Sequence, residues 1–203
     1  MNNYFKIDND FEDFKNIFLQ ENKKLNLISK NDAELLYEKH IYDSLSIKLF
    51  FDKYGINFST LLDLGCGGGF PCVPIAMEYP TIQVVGLDSI RKKINAIDNI
   101  KKQLNINNLD LICERAENVK NRQFDIITSR AVANLSKISE LAIPLLSKDG
   151  FFIAYKSKKA EEEIHEAQLT LQKLNAKIVD TINYTLPTNE KHERNLIIIR
   201  RAN

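Results

Sequence analysis

Few residues of this 203-residue sequence suit a metal centre or a disulfide framework. It contains three cysteines, three histidines and no tryptophan. The odd number of cysteines argues against a set of disulfides, and neither residue type recurs at the spacing of a metal site. We therefore expect reduced thiols and no bound metal.

Long apolar stretches and one-sided charge are missing too. No stretch approaches the roughly 18 apolar residues that span a membrane, and the first residues lack the basic start and apolar run of a secretion signal. The formal net charge is only +1, unlike that of a nonspecific polyanion binder. We expect a cytoplasmic protein without membrane contact, in which any binding of nucleic acid is local.

What the sequence does contain is an alternation of short apolar strands and amphipathic helices. It begins with helical periodicity in residues 11–19 and 32–51, where Asp32 is the expected N-cap. Strands are predicted at residues 60–64, 82–87, 109–113, 124–129 and 151–155, the last one after a turn at Asp149 and Gly150. Helices are predicted at residues 71–79, 89–104, 136–146 and 161–174. This order predicts right-handed crossovers and a mostly parallel sheet with helices on both faces.

The end of the chain breaks this alternation. Residues 177–185 and 195–200 are strand-like and are joined without a helix, which predicts a terminal antiparallel hairpin. The prediction is therefore an α/β, Rossmann-like fold with a terminal hairpin and an N-terminal helical extension. We expect one compact unit, in which the extension (residues 1–55) packs on a core domain (residues 56–203).

The most informative segment is the glycine-rich loop after the first strand. Asp63, Gly65, Gly67 and Gly69 form a DxGxGxG pattern, and such a loop lets bare backbone N–H groups approach a ligand. A Walker A loop is excluded because its GK[ST] ending is absent, and the dinucleotide pattern GxGxxG fails because Phe70 takes the place of its third glycine. The pattern that remains is typical of S-adenosylmethionine enzymes.

An acidic residue on the next strand strengthens this interpretation. Asp88 ends the second strand at roughly the 20-residue interval where a carboxylate accepts hydrogen bonds from ribose hydroxyls. The alternatives are a tight turn without a ligand for the glycines and a helix N-terminal charge for Asp88. The terminal hairpin favours a methyltransferase, since dinucleotide-binding sheets typically continue in parallel.

Four segments, in this order, resemble signature segments of a bacterial family. They are NLISKNDAELLYEKHIYDSL, GCGGGFPCVPIA, RAENV and FDIITSRAVANL, within residues 26–135. The chain resembles the ribosomal RNA small-subunit methyltransferase G family, formerly called glucose-inhibited division protein B, over nearly its whole length. The resemblance implies a class I S-adenosylmethionine-dependent methyltransferase fold and methylation of one guanine of 16S rRNA at N7.

The resemblance also implies functional residues. The matching positions are Gly65 and Phe70 in the first loop, Ala116 and Glu117 on the adenine side, and Arg130 after the fourth strand. With the residues of the loop pattern, the predicted cofactor-binding set is Asp63, Gly65, Gly67, Gly69, Phe70, Asp88, Ala116, Glu117 and Arg130. The family pattern GFPG reads GFPC here, so Cys72 replaces a glycine and is expected to narrow the approach of the backbone to the cofactor.

The residues after the fourth strand can be tested against possible acceptor atoms. Methylation of an exocyclic amine usually involves an (N/D/S)PP(Y/F) element, where this chain has SRAV, and methylation of a cytosine carbon needs a cysteine that lies later than any here. Guanine N7 already presents a lone pair and needs no general base, so alignment should dominate. Arg130 is the predicted catalytic residue. His40, one helical turn before Asp43, and Lys156 are predicted to contact RNA.

The expected partners are S-adenosylmethionine and 16S rRNA, in the small ribosomal subunit or its assembly intermediate, with the protein acting as a monomer. Two alternatives stay open. One is a small-molecule methyltransferase, which typically needs an enclosing lid. The other is a non-catalytic ribosome-assembly factor that binds the cofactor or RNA structurally.

Overall fold

The computed structural model describes residues 11–202 of the chain. Within them the strands are β1 (Thr60–Leu64), β2 (Gln83–Asp88), β3 (Leu109–Cys113), β4 (Phe124–Arg130), β5 (Leu146–Lys156), β6 (Ala176–Thr185) and β7 (Glu193–Arg201). The α-helices are α1 (Glu12–Leu25), α2 (Lys30–Glu34), α3 (Tyr42–Leu45), α4 (Ile47–Tyr54), α5 (Cys72–Glu78), α6 (Arg91–Gln103), α7 (Leu135–Ala142) and α8 (Ala160–Lys173). A π-helical turn spans Tyr37–Ile41, and 3₁₀ turns span Ala116–Asn118 and Ile143–Leu145.

One seven-stranded sheet organises the fold, in the order β3-β2-β1-β4-β5-β7-β6. Strands β1 to β5 pair in parallel with their neighbours, whereas β7 pairs antiparallel with both β5 and β6. The predicted mostly parallel sheet and terminal antiparallel hairpin are therefore confirmed. The order reverses beside β1, where β2 and β4 flank it, and open α/β sheets bind ligands at such a switch point.

Buried side chains form one hydrophobic core on each face of the sheet. The first core contains Phe14 of α1, Phe50 of α4, Ile75 of α5 and Ile97 of α6. The second contains Leu135 and Ile138 of α7 and Ala167 and Leu171 of α8. Helices cover both faces, as right-handed crossovers require.

The N-terminal extension packs directly on the glycine-rich loop. Phe14 and Phe18 of α1 are fully buried, and their rings lie 5.7 and 5.0 Å from the ring of Phe70. This contact fixes α1 beside the carboxyl end of β1. Residues 1–10 of the predicted extension lie outside the described residues, and the boundary at residue 55 stays a prediction.

Three local predictions are wrong. The N-cap of α2 is Ser29, whose hydroxyl accepts a hydrogen bond from the Asp32 amide at 3.1 Å, and the helix predicted for residues 32–51 is divided into several short helices. The turn predicted at Asp149 and Gly150 lies inside β5. A Cβ at Gly150 would lie 2.9 Å from two carbonyl oxygens of β4, so the glycine permits close strand approach at a register shift.

Candidate cofactor and acceptor site

Three adjoining cavities lie at the carboxyl ends of the central strands. The outer cavity, about 360 Å³, is lined by Asp88, Ala116, Glu117, Ile138 and Leu141 among others. The loop cavity, about 370 Å³, is lined by Gly67, Phe70, Asp88, Lys93 and Arg130 among others. The large cavity, about 750 Å³, is lined by His40, Asp43, Arg130, Tyr155, Lys156 and Arg194 among others. Gly65 and Asp88 line both small cavities, and Arg130 lines both the loop cavity and the large one.

The glycine-rich loop adopts conformations that favour glycine. Gly65, Gly67 and Gly69 have φ values of +74°, +55° and +98°. The amides of Gly65 and Cys66 donate to the Leu87 carbonyl, at 2.8 and 2.9 Å. The Gly67 amide donates to Asp88 at 3.0 Å. The expected row of bare N–H groups is therefore not present at these positions, because the protein itself uses them.

The loop instead provides space where a side chain is missing. A Cβ at Gly65 would lie 2.5 Å from a methyl carbon of Val132, a residue that lines all three cavities. Gly69 lines none of the three, and a Cβ there would lie 2.9 Å from Val73 on α5. Gly65 thus shapes the cavities, whereas Gly69 lets α5 pack against the loop.

The two acidic residues predicted to bind the cofactor, Asp63 and Asp88, have different positions. Asp63 is fully buried, accepts hydrogen bonds from the Cys72 amide and the Thr128 hydroxyl, and lines none of the cavities. Burial raises the pKa of Asp63 to about 7. The prediction that Asp63 contacts the cofactor directly is therefore wrong. Asp63 supports the loop instead, because its carboxyl joins the start of α5 to β4.

Asp88 lies where the sequence places it, at the wall shared by the two small cavities. One carboxylate oxygen accepts from the Gly67 amide and the other from the Ile90 amide, at 3.0 and 2.8 Å. Each oxygen has a second lone pair available for a ligand. Asp88 therefore fixes the loop and the start of α6 relative to the cavities.

Cys72, which replaces the family glycine, does not lie on the ligand side of the loop. Its side chain is fully buried, and its sulfur and that of Cys66 both lie 3.3 Å from the point where a Cβ of Gly86 would be. Burial raises the pKa of the Cys72 thiol well above its usual value. The expectation that Cys72 narrows the approach of the backbone to the cofactor is wrong, because Cys72 fills space between the loop and β2.

The outer cavity contains the predicted pair Ala116 and Glu117 on a 3₁₀ turn after β3. Opposite them, Ile138 and Leu141 of α7 also line the cavity. Sequence reasoning missed these two residues, since their helical spacing indicates only a buried face. The crossover from β4 to β5 is what places that face over the cavity.

Arg130 is the most highly connected side chain of the site, and it is only 15% exposed. Its Nη1 atom donates to the Asp43 carboxylate at 2.9 Å and to the Lys39 carbonyl at 3.3 Å. Its guanidinium carbon lies 5.3 Å from the centre of the Phe70 ring. The structure thus brings together Arg130, Phe70 and the extension.

His40 reaches the same place from the π-helical turn. Its Nδ1 lies 2.9 Å from Nη2 of Arg130, and because a guanidinium only donates, this nitrogen must be the acceptor. Burial, followed by the charge of Arg130, lowers the pKa of His40 to about 4. The imidazole is therefore neutral with its proton on Nε2, an atom that is buried without a hydrogen-bond partner within residues 11–202.

Asp43 connects Arg130 to the end of the sheet. It is 6% exposed as a side chain, and its second oxygen accepts from the Tyr184 hydroxyl of β6 at 2.6 Å. Burial raises the pKa of Tyr184 well above its usual value, and Asp43 adds to the shift. The Tyr155 hydroxyl of β5 donates to the Ser44 carbonyl at 2.8 Å. No sequence pattern identified either tyrosine, because the pairing of β7 with β5 and β6 brings them to this place.

Lys156 lines the large cavity but is not available as a free cation. Its ammonium lies 2.6 Å from Glu163 of α8 and donates to the Ala133 carbonyl at 2.7 Å, and the side chain is 10% exposed. The prediction that Lys156 binds RNA phosphate is therefore corrected. Its role is to join β5, α8 and the segment after β4.

Two negative findings apply to the described range. Between residues 11 and 202, no group of three or more histidine, cysteine or acidic side chains is arranged to hold a metal ion. Over the same range, no helix is long and apolar enough to cross a membrane.

The fold is that of the class I S-adenosylmethionine-dependent methyltransferases. TYW2 from M. jannaschii, solved in complex with AdoMet, superimposes with a TM-score of 0.61 at 14% identity, covering 78% of this chain and 76% of that one. Ribosomal protein L11 methylase from Lactobacillus delbrueckii subsp. bulgaricus gives 0.60 at 15% identity, covering 81% and 80%. These similarities concern the fold alone, and they confirm the predicted fold class.

Sequence comparison defines the family. The family model described as rRNA small subunit methyltransferase G matches residues 7–197. Ribosomal RNA small subunit methyltransferase G of Staphylococcus saprophyticus is 37% identical over 193 residues, which is 93% of this chain and 80% of the relative. The protein of the same name from Bacillus pumilus is 35% identical over 196 residues, covering 94% and 81%. The chain therefore belongs to the rRNA small subunit methyltransferase G family, and the resemblance found in the sequence is confirmed.

Proposed function

We propose that the protein transfers a methyl group from S-adenosylmethionine to N7 of a guanine in 16S rRNA. The substrate is the rRNA of the small ribosomal subunit or of its assembly intermediate. Membership of the family supports this proposal, as do the names of the relatives. The position of Arg130, at the junction of the loop cavity and the large cavity, is the observation that carries it.

The residues around the two small cavities fit the methyl donor. The cavities share Gly65, Asp88 and Val132, so one elongated ligand can extend through both. Asp88 can accept from ribose hydroxyls, and Glu117 can accept from an adenine amine beside the apolar wall of Ala116 and Ile138. When bound, S-adenosylmethionine supplies an electrophilic methyl group.

Arg130 retains donors for a ligand. A guanidinium has five N–H groups, and contacts with Lys39, Asp43 and His40 within the described range engage three, so two remain. These two N–H groups can donate to the carboxylate of S-adenosylmethionine on one side or to guanine O6 on the other. The buried contacts with Asp43 and Phe70 hold the guanidinium group in one orientation. Arg130 is therefore the residue that aligns the reacting groups.

Within residues 11–202, the two side chains that could act as bases beside Arg130 are both engaged, which agrees with the acceptor chemistry. Guanine N7 attacks with its own lone pair and gives up no proton. His40 is neutral and accepts from Arg130, and Asp43 is engaged by Arg130 and Tyr184. The protein contributes alignment and exclusion of water, which in favourable cases lowers a barrier by about 7 to 11 kcal/mol.

Strand scission tests the proposal. Purified protein and methyl-labelled S-adenosylmethionine are incubated with small subunits and with 16S rRNA that lack the modification. Borohydride and aniline then cleave the RNA at N7-methylguanine. We expect cleavage at one guanine with the wild type and a strong loss with Arg130→Lys, which keeps the charge but not the fork.

Other outcomes would replace the proposal. Label in small metabolites, without cleavage of rRNA, would indicate a small-molecule methyltransferase. No transfer to any acceptor, despite cofactor binding, would indicate a non-catalytic assembly factor. Label in rRNA that does not cause scission would place the methyl group on another atom.

A further inference from the structure

Six cations lie on the helix ends that adjoin the loop cavity. The basic patch consists of Lys23 and Lys24 in the last turn of α1, Lys30 at the start of α2, and Arg91, Lys92 and Lys93 in the first turn of α6. Helices α1 and α6 pack against each other. Lys93 lines the loop cavity together with Leu27 and Ile28, which join α1 to α2. The basic patch is therefore continuous with the proposed active site.

The patch is almost free of compensating acids. Lys24 pairs with Glu21 at 2.7 Å, and no other member has an ion-pair partner within 4.0 Å among residues 11–202. Arg91 is close enough to the exposed Glu114 to help lower the pKa of that carboxyl, after the hydrogen bonds from Arg115 and Asn118. Lys23, Lys30, Arg91 and Lys92 are exposed, so their charge is available at the surface.

Other basic clusters of the chain differ in this respect. Lys156 is paired with Glu163, and the first turn of α8 beside it carries Glu161, Glu162 and Glu163. Arg200 lies 3.5 Å from Asp149, and Arg201 donates to the Ile143 carbonyl. The start of α8 therefore carries three glutamates next to Lys158 and Lys159, so charges of both signs lie on that side. The side next to α1 and α6 carries mainly cations.

Local folding does not explain the cations on α6. A helix N-terminus carries partial positive charge, so basic side chains in its first turn are unfavourable. The first turn of α6 has three of them, no acidic residue and no side-chain cap. The preceding residue, Ile90, is 40% exposed. Cations in an unfavourable position, beside an exposed apolar residue, suit a surface that is covered by a partner.

We propose that the basic patch binds the phosphates of the rRNA strand that flanks the target base. This inference rests on the proposed function, and it identifies the face from which the RNA approaches. Phosphates lie over α1 and the start of α6, while the base enters from the side of Arg130. The three glutamates in the first turn of α8 make that side less favourable for phosphates than the basic patch.

Two matched triple variants test the proposal. The patch variant combines Lys23→Gln, Arg91→Gln and Lys92→Gln, which line none of the cavities. The control combines Lys120→Gln, Arg122→Gln and Lys148→Gln, which lie near the amino ends of β4 and β5. Each removes two lysines and one arginine, all exposed, so both proteins have the same net charge. Calorimetry with S-adenosylmethionine checks that both retain a folded cofactor site.

Binding of a fluorescein-labelled 16S rRNA fragment is measured at about 50 to 200 mM potassium chloride. For the patch variant, we expect the slope of log K against log salt to fall by about 2 to 3 and affinity to fall about tenfold. Its KM for methylation should rise in parallel. The control should keep the wild-type slope.

Three results would overturn the inference. A patch variant with wild-type slope and affinity, in a protein that methylates rRNA, would refute the patch and leave the proposed function intact. Equal losses in both variants would show an effect of net charge alone. If the wild type neither methylates nor binds rRNA, the proposed function fails and the patch proposal fails with it.

Discussion

The two sides of the site are built differently. The cofactor side, around the outer and loop cavities, comes mainly from continuous segments in which each strand leads into its loop, such as residues 63–70. The acceptor side, around the large cavity, combines distant segments through His40, Asp43, Arg130, Tyr155 and Lys156. A local pattern can identify the first kind of site, whereas the second kind exists only after folding.

The two sides also differ in what stabilises them. On the cofactor side, backbone hydrogen bonds and missing side chains shape the cavity, as at Gly65 and Gly67. On the acceptor side, ion pairs removed from solvent join Arg130 to Asp43 and Lys156 to Glu163. Substitutions should therefore act by steric blockage on one side and by uncompensated charge on the other.

The largest effect is expected for Arg130→Ala. Methyl transfer should fall about 10²- to 10³-fold, as for the loss of a preorganised donor. The free energy of unfolding should fall by about 3 to 5 kcal/mol, because Asp43 is left buried without its cation. Urea denaturation measures the second effect. In the Arg130→Ala/Asp43→Asn double variant, the two losses should be clearly less than additive, and additive losses would contradict the assigned pairing.

The cofactor side is tested by Gly65→Ala. The added Cβ would lie 2.5 Å from Val132, and the backbone φ is +74°. The matched control is Gly55→Ala, at φ +85° with nothing within 4 Å of the added atom. Both should lose about 1 to 3 kcal/mol of stability from a positive φ that residues with a Cβ rarely adopt. Gly65→Ala should lose more, because its Cβ also meets Val132. Only Gly65→Ala should weaken S-adenosylmethionine binding about tenfold by calorimetry, and equal affinities would show that Gly65 does not shape the cofactor site.

A smaller effect concerns the pH dependence of stability. Because the pKa of His40 is lowered from 6.5 to about 4, the unfolded chain binds a proton below pH 6.5 that the native protein does not bind. The native state therefore loses stability as pH falls. Between about pH 7.5 and 5, wild type should lose about 2 kcal/mol more than His40→Asn. The raised pKa of Asp63 acts in the opposite direction, but it does so in both proteins and cancels in the difference. Parallel curves would mean that His40 titrates normally.

The smallest effect is expected for Lys156→Gln. Its partner Glu163 would lose its cation, which should cost about 1 to 2 kcal/mol in urea denaturation. The salt dependence of RNA binding should not change, because the ammonium is held inside the protein. The exposed Lys148→Gln is the control and should change stability little. A lower salt slope for Lys156→Gln would instead show that Lys156 contacts RNA phosphate.

The sequence was sufficient for the order of elements, the sheet class and the family. The glycine spacing also identified the loop, yet it could not show that the amides of Gly65 and Gly67 are used by the protein itself. It could not separate Asp63, which supports the loop from behind, from Asp88, which lines the cavities. Both are acids at strand ends, and only the direction of the side chain distinguishes them.

The residues of the acceptor side are harder to predict from the sequence, for a physical reason. Arg130 and His40 were predicted separately, and the hydrogen bond between them depends on packing of the extension against β4. Tyr184 and Asp43 are 141 positions apart in the sequence. They form a hydrogen bond because β7 lies between β5 and β6 in the sheet. The sequence predicts an RNA contact for Lys156 because a pattern does not reveal whether a cation is paired.

A crystal structure with the demethylated donor S-adenosylhomocysteine would test most directly whether the two small cavities hold one donor next to Arg130. We predict the adenine between Ala116 and Ile138, the ribose at Asp88, and the sulfur beside Arg130, facing the large cavity. A ligand lying entirely in the large cavity, or a donor whose sulfur faces away from Arg130, would contradict the proposed arrangement.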